Sequence, residues 1–169
     1  EYPNGIALSA DGQLLYVASS THGIQVIDIS SHKILSSDSP STRGIDGMKF
    51  YEGNLYAVVN GERDAAAHGI VRIALEPDGR SISRVDPMLL GHSSMEVPTT
   101  LAIENHTIFC IANSQLNKLT LGRIRPFKLS TNGRKVRFCN LKRFFHGRAH
   151  RNHNRQLSIG KRRARVRFL

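Results

Sequence analysis

Three segments of the chain repeat one pattern of polar and apolar positions. In each, a polar residue opens a short apolar strand, a turn follows, and a second and almost wholly apolar strand comes next. The opening polar residues are Asn4, Asp46 and Thr99, which lie 42 and 53 residues apart. Repeats of about 40 to 50 residues built from short strands are typical of propeller blades. The pattern therefore predicts an all-β chain whose repeating unit is a four-stranded blade.

Alternation and turn residues predict the strands of each unit. The first unit gives strands at residues 6–10, 14–20, 23–29 and 33–35, the second at 47–51, 54–60, 69–75 and 81–90, and the third only two, at 99–104 and 107–113. The second strand of each unit has no polar face, which is expected when neighbouring blades cover both sides. About two and a half blades cannot close a ring of four to eight, so we expect part of a longer propeller.

Charge divides the chain into two regions, residues 1–120 and residues 121–169. The first region holds all 13 acidic residues and 8 of the 24 basic ones, whereas the second holds the other 16 and no acid. Neither a period of two nor one of 3.6 survives in the second region, so we expect a basic tail of low order. Three interpretations stay open for it: an out-of-frame or aberrant terminus, a genuine disordered tail, or a segment that binds nucleic acid. Such binding would be non-specific and salt-dependent.

Two further features limit the function classes. No run approaches the 18 or more apolar residues of a membrane span, so no membrane partner is expected. The only cysteines are Cys110, in an apolar strand pattern, and Cys139, in the basic region. A buried, reduced Cys110 is favoured over a disulfide, and the pair indicates no cellular compartment.

The first residues of the first two repeats resemble sequences of the gluconolactonase family, also called the senescence marker protein or regucalcin family. They read Tyr2-Pro3-Asn4-Gly5-Ile6-Ala7-Leu8 and Gly44-Ile45-Asp46-Gly47-Met48. The resemblance covers residues 2–119 and departs at Ile45, where the family more often has proline. Its members are six-bladed propellers with one divalent metal in the central channel, and several hydrolyse sugar lactones. The resemblance thus implies a fragment whose intact form binds such a metal and hydrolyses a sugar lactone or related ester.

Residue by residue, the resemblance assigns the metal ligands Asn4 and Asp46, and it places a Glu and a second Asn on earlier blades. An amide oxygen and a carboxylate suit a hard cation such as calcium, with magnesium, manganese or zinc as alternatives. The resemblance further implies a metal that polarises the lactone carbonyl, while Asp46, or a water on the metal, delivers the nucleophile. Asp46 would then be both ligand and general base, the catalytic residue. With two ligands and an open ring, the fragment itself is expected to be inactive.

Alternatives to this interpretation remain. Asn4 and Asp46 each precede a glycine and are also typical of turn residues that cap backbone groups. Thr99, Thr100 and Asn113 occupy comparable places and carry polar groups that suit the channel or the strand itself. The whole propeller is alternatively a non-catalytic binding module, because the fold hosts many functions. The histidine spacing gives no metal triplet, and no Gly-x-Ser-x-Gly nucleophile motif occurs.

Overall fold

A computed structural model shows three four-stranded antiparallel sheets in chain order. It describes residues 2–61, 65–114, 138–142 and 165–168, with side chains in the first two of these ranges. The first sheet contains β1 (Pro3–Leu8), β2 (Leu14–Ser19), β3 (Gly23–Asp28) and β4 (Lys33–Ile34). The second contains β5 (Ile45–Tyr51), β6 (Asn54–Val59), β7 (Gly69–Leu75) and β8 (Ile82–Leu90). The third contains β9 (Leu101–Glu104), β10 (Thr107–Ile111), β11 (Phe138–Lys142) and β12 (Arg165–Phe168).

Each sheet pairs its strands in the order in which they follow along the chain. The first strands of the three sheets lie side by side, since β1 contacts β5 and β5 contacts β9. Short 3₁₀ turns at Pro40–Thr42 and Ala65–Ala67 interrupt the connections. Sequential four-stranded meanders with adjacent first strands are the arrangement of propeller blades. The all-β, partial propeller fold predicted from the repeat is confirmed.

Two apolar clusters hold the sheets face to face. The first lies between sheets one and two and contains Tyr16, Val26, Met48, Leu55 and Ile73, among others. The second lies between sheets two and three and contains Tyr56, Val58, Ile70, Leu101 and Ile108, among others.

Strand β6 contributes to both clusters. Its residues alternate between the two interfaces, with Leu55 and Ala57 on one side and Tyr56 and Val58 on the other. All four are buried. This explains why the second strand of a repeat carries no polar face in the sequence.

The third sheet differs from the expectation for the C-terminal region. Its outer strands were not recognisable in the sequence, but β11 pairs with β10, and β12 pairs with β11. The nine residues of these two strands belong to the third sheet, whereas the low order expected of residues 121–169 as a whole stays a prediction. An antiparallel partner satisfies the backbone groups along the free edge of β10 without requiring an alternating sequence. The remainder of the predicted tail, and the out-of-frame and nucleic-acid interpretations of it, lie outside the described residues.

Two smaller expectations are also addressed by the structure. Cys110 is buried, as the apolar pattern predicted, and its position in the β10–β11 register faces that of Cys139. Within the described residues, no helix has the length and apolar character needed to span a membrane.

Candidate functional site

Asn4 and Asp46 lie at β-bulges in equivalent places of two neighbouring sheets. In the first sheet Pro3 pairs with Ser19 and Ile6 with Val17, so Asn4 and Gly5 together oppose one residue of β2. In the second sheet, Asp46 and Gly47 likewise oppose one residue, because Ile45 pairs with Val59 and Met48 with Ala57. A bulge turns its side chains away from the regular alternation of the strand. A bulge therefore changes the direction of the side chain of both Asn4 and Asp46.

The glycine after each polar residue lets the next sheet approach at backbone distance. A Cβ added to Gly5 would overlap the carbonyl oxygen of Asp46. A Cβ added to Gly47 would lie 2.6 Å from the Cα of Thr100 and 2.7 Å from the carbonyl oxygen of Thr99. Real Cβ atoms do not come so close to backbone, so only glycine fits here. The repeated polar-glycine pair thus stacks one inner strand directly on the next.

Thr99 and Thr100 complete this series in the third sheet. The Thr99 carbonyl accepts a hydrogen bond of 2.8 Å from the Gly47 N–H. The two threonines face a single residue of β10, because the Thr99 N–H donates to the Ile111 carbonyl and the Ile111 N–H donates to the Thr100 carbonyl. All three repeats therefore begin with two residues opposite one. The third differs only in having a side chain at the glycine position.

The carboxylate of Asp46 is half-buried and held by Asn60. The Asn60 side-chain N–H₂ group donates to Asp46 Oδ2 at 2.7 Å and to the Pro98 carbonyl at 2.6 Å. The backbone N–H groups of Asn60 and Gly61 both donate to the Gly44 carbonyl at 3.0 Å. Asn60 thus connects the second sheet, where it follows β6, to the segment leading into the third. It fixes the orientation of the carboxylate, to which no other hydrogen bond is found among the described residues.

Sequence reasoning missed Asn60, although a signal for it existed. Asn60 and Asn113 occupy the same place in their repeats, since each lies two residues beyond the residue that opposes the start of its inner strand, Val58 and Ile111 respectively. Asn113 donates to a carboxylate as well, from its side-chain nitrogen to Glu96 Oε2 at 2.7 Å. The two asparagines therefore share a side-chain hydrogen bond to a carboxylate at or before the start of their own sheet.

Asn4 has a different environment from Asp46. Its side chain is exposed, and no hydrogen bond to it is recorded among the described residues. It lies on β1, the inner strand beside β5, and its neighbour Gly5 abuts the Asp46 backbone. The structure thus places the two predicted ligands at equivalent ends of adjacent inner strands. Their role as ligands remains a prediction.

The donor set around Asp46 is chemically suited to a hard cation but incomplete. A carboxylate and an amide oxygen are available from Asp46 and Asn4, whereas calcium takes six to eight oxygen ligands. Within the described ranges, no group of three or more His, Cys, Asp or Glu residues is arranged to hold a metal ion. Asn4 and Asp46 thus offer two oxygen-bearing side chains of the six to eight oxygens that calcium takes.

A surface cleft of the described residues lies apart from Asn4 and Asp46. It has a volume of about 340 Å³ and is lined largely by apolar groups, including Ile45, Val59, Val71 and Val85. Neither Asn4 nor Asp46 lines it. The cleft lies beside the 3₁₀ turn that joins the first two sheets, and Arg43 is the charged residue of its lining.

Comparison with known proteins supplies similarities of strand arrangement. No protein-family model matches the chain, and no curated protein matches it in sequence. Among solved structures, hydrazine synthase from Kuenenia stuttgartiensis is similar over 64% of this chain and 29% of its own, at 20% identity and a TM-score of 0.44. The PQQ-bound form of an aldose sugar dehydrogenase from Streptomyces coelicolor is similar over 64% of this chain and 36% of its own, at 20% identity and a TM-score of 0.47.

A luciferin-regenerating enzyme is also similar, over 64% of this chain and 36% of its own, at 20% identity and a TM-score of 0.44. The chain thus spans about a third of the length of these proteins. At TM-scores below 0.5 these similarities carry no argument, and the fold assignment rests on the three sheets themselves. The gluconolactonase family remains a resemblance.

Proposed function

We propose that this chain supplies one wall of a divalent-cation site at the hub of a propeller, and that the intact protein hydrolyses a sugar lactone or a related ester. Asp46 and Asn4 are the ligands from this chain, and calcium is the favoured metal. The observation that carries the proposal is the pair of equivalent bulges at Asn4-Gly5 and Asp46-Gly47. Two oxygen-bearing side chains re-aimed in the same way on adjacent inner strands suit a shared ligand better than two unrelated turns.

The role of Asp46 follows from its hydrogen bonds. Asn60 donates to Oδ2, and Oδ1 has no hydrogen-bond partner among the described residues, so Oδ1 is the oxygen suited to accept a proton or bind a cation. The amide donor is itself held by the Pro98 carbonyl, which restricts rotation of the carboxylate. A positioned carboxylate of this kind is suited to take a proton from an attacking water. The bound cation would supply polarisation of the substrate carbonyl.

Binding of metal is the first test. Calcium, magnesium, manganese and zinc are titrated separately into the chain, and binding is followed by calorimetry. A partial ligand set is expected to bind calcium weakly, with a dissociation constant of about 1 mM. The variant D46N is expected to weaken binding at least about tenfold, while D78N, at an exposed turn carboxylate, serves as the matched control. Equal binding by D46N and D78N would contradict the assignment of Asp46.

Catalysis is tested in a longer protein that contains this segment in a closed ring. Hydrolysis of an aldonolactone is measured by proton release, with and without a metal chelator. Both the chelator and D46N are expected to abolish turnover, whereas N60A is expected to lower it while metal binding persists. Turnover that survives both treatments would refute the mechanism. A ring that binds metal through Asp46 but hydrolyses nothing would instead favour the non-catalytic binding module.

A further inference from the structure

Within the part of the chain that the structure describes, the first sheet is covered on one face only. Its other face carries five apolar side chains, here called the open face: Ile6, Leu8, Leu15, Val17 and Ile27. Ile6 and Leu8 are 56% and 53% exposed, and the other three are half-buried. Large aliphatic side chains grouped on one side of a sheet mark an interaction surface.

The internal repeat shows what this kind of face contacts. The residue equivalent to Ile6 is Met48 in the second sheet and Leu101 in the third, and these are only 2% and 3% exposed. Each of them belongs to the cluster formed with the sheet that comes before it in the chain.

The other four positions of the open face are also equivalent to residues that the preceding sheet covers. The equivalents of Leu8, Leu15, Val17 and Ile27 in the second sheet are Phe50, Leu55, Ala57 and Ile73, and all four belong to or pack against the cluster shared with the first sheet. The open face is therefore the same surface as the preceding-sheet interfaces of sheets two and three.

We propose that the open face is a docking surface for a further four-stranded blade, and that the innermost strand of that blade carries a glycine where the first two sheets have Gly5 and Gly47. The occupant is a blade that the described residues do not contain.

The glycine requirement comes from the two interfaces inside the chain. At each, the preceding sheet presents a glycine against the backbone of the following sheet: Gly5 against Asp46, and Gly47 against Thr99 and Thr100. Any Cβ at these positions would collide with backbone atoms, which cannot rotate away as a side chain can. A blade that seats on the open face in the same way meets the backbone around Asn4 and needs the same residue.

A second copy of this chain does not satisfy this requirement. Gly5 and Gly47 already pack against the following sheets of their own chain. A second copy could therefore pack against the open face only through its third sheet. That sheet has Thr100 at the critical position, and its Cβ would strike the backbone of β1 in the other copy. Thr100 therefore acts against end-to-end self-assembly of the chain, although the apolar open face favours it.

Self-association of the full chain tests the proposal. T100G gives the third sheet the glycine that the open face requires, and T100A keeps a Cβ as the matched control. Glycine is the native residue at the equivalent place in both other sheets, so T100G is expected to keep the fold, which far-ultraviolet circular dichroism checks. Sedimentation velocity over a concentration series is expected to show self-association at least about tenfold tighter for T100G than for T100A or the unsubstituted chain.

The open face itself is tested in the same series. I6D, which changes an exposed side chain, is expected to abolish the association gained by T100G, and hydroxyl-radical labelling of Leu8 is expected to fall as T100G associates. Equal association of T100G and T100A would overturn the glycine requirement. Association that I6D leaves unchanged would overturn the docking surface. Self-association of the unsubstituted chain that I6D abolishes would identify a second copy as the occupant and refute the proposal.

Discussion

Replacement of Gly47 by alanine tests whether the inner strands touch at backbone distance. The new Cβ would lie 2.6 Å from the Thr100 Cα and 2.7 Å from the Thr99 carbonyl oxygen. Overpacking of this kind costs about 1–3 kcal/mol. The sheets must separate to relieve it, which weakens the 2.8 Å hydrogen bond from the Gly47 N–H to Thr99, worth about 0.5–1.5 kcal/mol net. Alanine also reduces the conformational freedom of the unfolded chain, which offsets about 0.4–1 kcal/mol of this cost. The free energy of unfolding is therefore expected to fall by about 2–3 kcal/mol.

Urea unfolding of G47A measures this loss. With an m-value of about 2 kcal/mol per molar urea, the midpoint is expected to fall by about 1 M. The control is G12A, because the Cβ of residue 12 would meet nothing within 4 Å and only the left-handed backbone, at φ 71°, resists it. That penalty is about 1–2 kcal/mol before the same entropic gain. If G47A lowers the midpoint no more than G12A does, the close stacking of β5 on the third sheet is refuted.

Two further predictions concern the first sheet. Tyr16 is fully buried between sheets one and two, and its hydroxyl donates to the Gly79 carbonyl at 3.1 Å. Y16F removes this hydrogen bond and is therefore expected to lower the free energy of unfolding by about 1 kcal/mol in the urea assay. An unchanged urea midpoint would contradict that hydrogen bond. Hydrogen bonds from the Ser30 hydroxyl and from the backbone and hydroxyl of Ser31 lower the pKa of Asp28 to about 2. Because the folded pKa lies below the unfolded value of about 3.9, the ionised Asp28 stabilises the fold above about pH 4, and this contribution is lost as the pH falls through about 2. A carbon-13 titration is expected to show that midpoint and its rise in S30A, whereas a midpoint near 4 in the unsubstituted chain would refute the turn geometry.

The sequence alone predicted most of the strands, because the signals for them are local. Turn residues mark the hairpins, and Gly12 and Gly53 adopt the left-handed backbone that such turns need. Leu14–Ser19 and Asn54–Val59 were correctly read as central strands from the lack of a polar face. The outer strands of the third sheet were missed, because β11 and β12 are only five and four residues long and lie within the basic region, where so short an alternation does not stand out.

The candidate site was likewise predicted only in part from the sequence. The places of Asn4 and Asp46 at the start of two inner strands followed from the repeat. The bulges did not, because a bulge is a property of the register between two strands and leaves no unique mark in either one. Asn60 was overlooked for a similar reason: its partners, Asp46 and Pro98, are 14 and 38 residues away, and only packing brings them together.

By itself, then, the sequence determined the all-β class, the blade repeat and the identity of the two polar residues, since periodicity and turn chemistry act within a few residues of chain. Only the tertiary structure decided that the glycines are the points where sheets meet, that Asn60 orients Asp46, and that one face of the first sheet is left open. These features depend on which sheet lies against which, because steric exclusion and hydrogen bonding between sheets act through space rather than along the chain.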